Sequence, residues 1–420
     1  MTLVAERQPR QPRRPQEAPA LPPVRGHLPQ IDVVRVLAFG AVIGVHALST
    51  TVLPTDPVGG GVLMLLHFTR EAFFLITGVV LVHTYGSRAH FDVPAFWRRR
   101  FLLVGVPYLA WSLVYYLVNV PFAPSHGQWW RTFGFDLLTG RASYQLYFLL
   151  VSLQAYLLLP LIFRLLRKTA GHHLLLLAVS AALQLVTFRL IQGTRGATGW
   201  ALTVLNHTDA MFPTYQFFLL AGAVFAWHLP RMQALLHRHL RWVPWIVLGG
   251  VAIAELAFAL QVGPYGAVSA RGQLQMAMVP WGLASFVGLY ALGVIWASQR
   301  RTGRWATALD VGQRISFGVY LVHPLVLDLL FAHGFAAGPG QIMPSWLATI
   351  VAVAIALTGA VIVVLLVQQT PLSSMLTGRE YAGRWRWRPV IAAVVVTAGL
   401  ATWAGVVQQA PQAPPPITTD

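Results

Sequence analysis

Residues 31–47 read IDVVRVLAFGAVIGVHA, an apolar stretch interrupted by one arginine, Arg35, and one histidine, His46. Eleven positions are close to three helical turns. The two side chains therefore share a face, separated by about 16 Å along the helix axis. About 20 apolar residues in helical form cross the hydrocarbon core of a bilayer. Ionisable groups inside that core are costly and mark functional sites. The stretch therefore reads as a transmembrane helix with a cation near its cytoplasmic end and a base deeper in.

The rest of the chain repeats the apolar pattern. Of 420 residues, 56% are apolar and 10% are charged, against about 25% charged in a soluble domain. The fold expected is all-α, a polytopic integral membrane helical bundle of about 10–11 transmembrane helices. Eleven candidate spans lie near 31–53, 60–85, 101–120, 144–166, 173–191, 211–228, 242–262, 274–298, 314–333, 345–368 and 389–408. With the N-terminus placed in the cytoplasm, 23 of the 30 lysines and arginines fall on cytoplasmic segments. A wrong helix count would scramble that alternation. The net charge of +17 is thus a property of one membrane face, drawn to anionic lipid rather than to nucleic acid.

Residues 1–30, rich in Pro, Arg and Gln, read as a disordered cytoplasmic tail without a cleavable signal. The expected organisation continues with a membrane domain over 31–370. A basic cytoplasmic loop plus an extra helix follows over 371–408, then a disordered tail over 409–420. The location expected is a bacterial plasma membrane. The chain has no cysteine, which excludes thiolate nucleophiles and thiolate metal sites. There is no P-loop, dinucleotide fingerprint or HExxH, and no histidine spacing forms a metal signature. No bound cofactor and no metal are expected.

Three patches carry candidate chemistry. A neutral imidazole such as His46 is the usual general base near pH 7. In HFTREAFFLITG (67–78), His67, Arg70 and Glu71 fall at i, i+3 and i+4, and Gly78 with Thr77 permits close helix approach. The bland reading of that patch is an internal ion pair. In ISFGVYLVHP (315–324), Ser316, Tyr320 and His323 share a face, and Pro324 favours a kink. His46, His67, Glu255 and Asp328 fall at similar depths.

Five segments, in order, resemble the integral-membrane acyltransferase family 3, which includes polysaccharide O-acetylases and macrolide O-acyltransferases. They are Arg35-x10-His46, REAFFLITG (70–78), FWRRRFLLVGVPY (96–108), YQLYFLLVSLQAYLLLPLI (144–162) and ISFGVYLVHPLVL (315–327). The resemblance covers about residues 30–370. It implies an acyl-CoA-dependent enzyme that moves an acyl group, usually acetyl from acetyl-CoA, to a hydroxyl of a sugar, glycolipid or macrolide-like acceptor. It implies Arg35 and His46 as the essential pair and Arg98, Arg99 and Arg100 as the basic turn. Gln145 stands where the family often has His, and Glu71 where it often has Asp.

On this reading the phosphates of acyl-CoA lie near Arg35 and Arg98–Arg100, and His46 takes the acceptor proton. Arg70 or Tyr320 stabilises the oxyanion, and His67, Glu71 and His323 line the site. An acyl-histidine intermediate is an alternative route. A transporter of a glycan or lipid-linked intermediate, using Arg70, Glu71, Glu255 and Asp328, is the rival reading. A membrane scaffold tolerant of losing both Arg35 and His46 is a third.

Overall fold

The structure is a computed structural model that describes residues 26–86, 88, 91–120, 127–193, 198–299, 303–332, 335, 343–380, 391 and 395. Among these residues there is no strand. Nine helical stretches among the described residues are long and apolar enough to cross a membrane, and Phe212–Trp227 is a shorter apolar one. Together they match the first ten expected spans. The eleventh, near 389–408, and the tails before 26 and over 409–420 lie outside the described residues, apart from residues 391 and 395.

Helix α1 (Pro29–Thr51) starts on a proline, which needs no N–H partner in the first turn. The expected second span is two helices end to end, α2 (Pro57–Leu66) and α3 (Phe68–Tyr85), joined at His67. Asp56 caps α2, accepting from the Val58 N–H at 2.9 Å. Helix α4 (Val93–Arg100) runs through a π-helical turn, Phe101–Gly105, into α5 (Val106–Asn119). One extra residue per turn shifts the phase of everything before it, and such turns are frequent at functional sites. Helix α6 (Gly127–Thr139) precedes α7 (Tyr147–Lys168) and α8 (His173–Gly193). Then come α9 (Gly199–Leu205), α10 (Gln216–Trp227), α11 (Leu229–Arg238) and α12 (Val243–Ala270). The last are α13 (Met278–Ser298), α14 (Arg304–Ala332), α15 (Ser345–Val367) and the short α16 (Ser373–Thr377).

Helix α1 sits at the centre, packed on α3, α13, α14 and α15, and α3 packs in turn on α10 and α13. The α3–α10 crossing is the closest kind. A Cβ at Gly78 would meet the Leu219 carbonyl oxygen, and one at Gly222 would meet the Leu75 carbonyl oxygen. Small residues that let backbones touch are the usual basis of helix association in lipid. Helices α8 and α12 lie at the periphery, with Leu174, Leu175, Leu183, Leu256 and Leu260 exposed. Such apolar faces suit contact with acyl chains rather than water.

Candidate active site

Two cavities lie along α1, one on each half. Helices α1 and α14 run one way through the bundle, and α3 and α7 run the other. The C-terminal half of α1 therefore faces the N-terminal ends of α3 and α7. The first cavity, of about 370 Å³, lies there. His46, His67, Arg70, Tyr144, Gln145 and Asp209 are among its lining residues. The N-terminal half of α1 faces the C-terminal half of α3 and the middle of α7. The second cavity, of about 240 Å³, lies there, with Arg35, Arg100, Gln313 and Arg379 in its wall. Phe73, Phe148 and Tyr320 belong to both walls.

Arg35 and His46 do share one face of one unbroken helix, as their spacing requires, but each serves a different cavity. The His46 ring lies 4.4 Å from the Tyr144 ring and stacks on the His323 ring at 5.4 Å. His323 is fully buried, and its Nδ1 lies 2.8 Å from the Tyr320 carbonyl oxygen. A ring nitrogen facing a carbonyl must donate, so Nδ1 carries the proton and Nε2 keeps its lone pair. That Nε2 has no hydrogen-bond partner among the described residues. His323 thus stands behind His46, outside the lining of the first cavity.

Arg70 lines the first cavity. Its Nη2 donates to the Gln273 carbonyl at 3.2 Å, while Nε and Nη1 are buried with no hydrogen-bond partner among the described residues. Glu71 is fully buried, its Oε1 3.8 Å from Arg70 Nη2. It does not line the cavity; a Cβ at Gly282 of α13 would come within 2.7 Å of its Cβ. The tertiary packing thus turns two adjacent residues to different tasks: Arg70 to the cavity, Glu71 to its charge balance. Tyr320 Oη donates to the Gln145 carbonyl at 2.6 Å. Its proton is committed there, which leaves Arg70 as the better-placed donor for a developing negative charge.

At the other end Arg35 Nη1 lies 3.7 Å from Asp32 Oδ1, which also accepts from Gln313 Nε2 at 2.8 Å. Asp32 Oδ2 contacts His27 as well. Of the three arginines at 98–100, only Arg100 lines the cavity; Arg98 and Arg99 are exposed. Arg100 is the residue just before the π-helical turn. Its guanidinium lies over the rings of Tyr156, Phe96 and Tyr85 at 5.4, 5.7 and 5.8 Å. Cation–π contact holds a guanidinium in place without using up its N–H donors.

Sequence reading did not single out Arg141, Tyr144, Asp209 and Gln273 of the first cavity or Arg379 of the second. They come from connections between helices, where no periodicity marks a face. Arg141 and Asp209 lie 3.7 Å apart across two such connections. Gln145, which stands where the family often has His, also lines the first cavity. Its side-chain oxygen accepts from Ser143 Oγ at 2.6 Å, and its buried Nε2 has no hydrogen-bond partner among the described residues. Glu255 lies away from both cavities, against Gly61 of α2, and Asp328 lines neither. Among the described residues no group of three His, Asp or Glu is arranged to hold a metal ion.

Residues 28–365 match the family model of acyltransferase family 3, described as an acyltransferase domain. No curated protein and no solved structure matches the chain.

Proposed function

The chain belongs to the membrane acyltransferase family 3, whose domain covers residues 28–365, and from that premise we propose that it is an acyl-CoA-dependent O-acyltransferase. Its donor occupies the Arg35 cavity and its acceptor the His46 cavity. The observation that carries this reading is the division of the Arg35–His46 pair between two cavities that share a wall. Their separation of about 16 Å along α1 is comparable to an extended pantetheine arm. Phosphates held by Arg35, Arg100 and Arg379 would leave the thioester beside His46. Bidentate guanidinium contacts suit such phosphates. Arg98 and Arg99 are exposed and outside the cavity lining.

The chemistry follows from that placement. His46 takes the proton of the acceptor hydroxyl as its oxygen attacks the thioester carbonyl carbon. Arg70 N–H groups meet the oxyanion. The C–S bond then breaks, CoA leaves as thiolate and His46 returns the proton to it, giving an ester and free CoA. The acceptor class proposed is a carbohydrate, glycolipid or macrolide-like hydroxyl. The cavity supports it with aromatic faces beside donors and acceptors of both signs. The Arg35 end faces the cytoplasm on this reading, since acyl-CoA is made there and the cations gather there.

Family membership favours acyl transfer over the transport reading. Arg35→Ala and Arg100→Ala are each expected to raise KM for acetyl-CoA by about 10-fold or more, the loss of one charge-assisted contact. Arg98→Ala is expected to change it by less than about 3-fold, as for an exposed charge. Steady-state release of free CoA by the purified protein measures both. Equal effects of the Arg98 and Arg100 substitutions would remove the distinction between exposed and cavity-lining arginines. No effect of Arg35→Ala would remove the donor site.

A further inference from the structure

Four aromatic rings close the space between the two cavities. Phe39 lies 4.6 Å from Phe73, Phe73 5.5 Å from Phe148, Phe148 5.9 Å from Tyr320, and Tyr320 5.6 Å from Phe39, centroid to centroid. The circuit returns to its start, so the rings form a collar rather than a stack. Phe39 stands four residues after Arg35 and seven before His46 on the same face of α1, between the two ends of the proposed site. Three of the four rings line both cavities, yet the cavities are separate. At these spacings neighbouring rings are in van der Waals contact, which for carbon is about 3.5–4.0 Å.

Resting on the donor reading above, we infer that this collar is the passage for the acyl thioester and selects acyl groups by cross-section. With the phosphates at Arg35, the part of pantetheine that spans the collar is its unbranched β-alanine–cysteamine half. The gem-dimethyl carbon lies next to the diphosphate and stays in the Arg35 cavity. A linear acyl group presents no wider section than the arm that follows it. An acyl group branched beside the carbonyl does, and packed rings that must part for each donor resist the wider section more than the narrower one. Tyr320 is tied to the Gln145 carbonyl, while Phe39 and Phe148 are only partly buried. Those two are the rings free to turn as the arm enters.

Butyryl-CoA and isobutyryl-CoA have the same carbon count and differ only in the branch, so their ratio reads section rather than length. With release of free CoA as the readout, the wild-type protein is expected to prefer butyryl-CoA by about 10-fold or more. Phe148→Ala and Phe39→Ala, each compared within itself, are expected to bring the two donors within about 3-fold of each other, the discrimination of one methyl group being lost. An unchanged ratio in both variants overturns the inference.

If the wild type neither turns over nor binds acyl-CoA, the donor reading fails; if it binds acyl-CoA without turnover, the donor reading stands and only the acceptor is missing, and in both cases the collar is judged by labelling. The chain has no cysteine, so Val45→Cys places a single thiol in the lining of the His46 cavity. In inverted membrane vesicles, a charged methanethiosulfonate added from the Arg35 side is expected to react slowly with it. The reaction is expected to be at least about 10-fold faster when Phe148→Ala is added, because the packed rings no longer fill the passage. Equal rates would show that the rings are no barrier.

Discussion

His46→Ala is expected to lower acyl transfer by about 100- to 10,000-fold, the range general-base removal produces, with the protein still folded. His46 is the titratable group on the α1 face of the first cavity, and His323 behind it has Nδ1 held on the Tyr320 carbonyl. His323 lies outside the cavity lining, so it does not substitute for a missing imidazole at position 46. The alanine gives up the ring contacts with Tyr144 and His323 but leaves the rest of the packing of α1 on α3, α13, α14 and α15, so size-exclusion behaviour and melting temperature should stay near those of the wild type. Free CoA release and ester formation, measured beside those two controls, decide the matter. Full activity in a folded His46→Ala protein would end the proposed mechanism. An acyl adduct on His46 found by mass spectrometry would instead favour the covalent route over direct attack.

Gly222→Val, and equally Gly78→Val, is expected to abolish the folded protein. Overpacking a close-packed contact costs about 1–3 kcal/mol when side chains can move. Here the obstacles are backbone atoms. The Cβ of residue 222 would run into the Leu75 carbonyl. That of residue 78 would run into the Leu219 carbonyl and come within 2.7 Å of the Ala223 nitrogen. Helix α3 carries Arg70 and Phe73 to the first cavity, so forcing α3 and α10 apart also moves the site. Loss of the monodisperse peak in detergent and a collapse of expression are the expected readouts. A Gly222→Val protein that purifies normally and melts at the wild-type temperature would show that the crossing is looser than described. Gly→Ala at the same positions should lie between the two.

Much of this architecture is legible in the chain because it is local. The ten described spans follow from hydrophobic length alone, and their ends fall within a few residues of where composition changes, with α12, α14 and the stretch that begins with α4 running longer at one end. The axial distance between Arg35 and His46 follows from the helical rise, whatever surrounds α1. The candidate site was legible only in part. Of the four side chains that fall at one depth, only His46 and His67 meet in one cavity, where Arg70 and Tyr320 join them. Glu255 and Asp328 share that depth and lie elsewhere, because depth fixes one coordinate and the helix order around α1 fixes the others.

The sequence by itself determined that this is a polytopic helical membrane protein with a cation and an imidazole on one face of its first helix. Hydropathy and helical periodicity are properties of neighbouring residues, so no fold need be known to read them. Tertiary structure alone decided that Arg100, and not Arg98 or Arg99, enters the Arg35 cavity. It also turned Glu71 away from the His46 cavity, brought Arg141, Gln145, Asp209 and Gln273 to that cavity, and closed four rings from α1, α3, α7 and α14 into a collar. Each of these depends on the rotation of one helix against another. That rotation is set by packing contacts such as Gly78 on Gly222, between residues far apart in the chain.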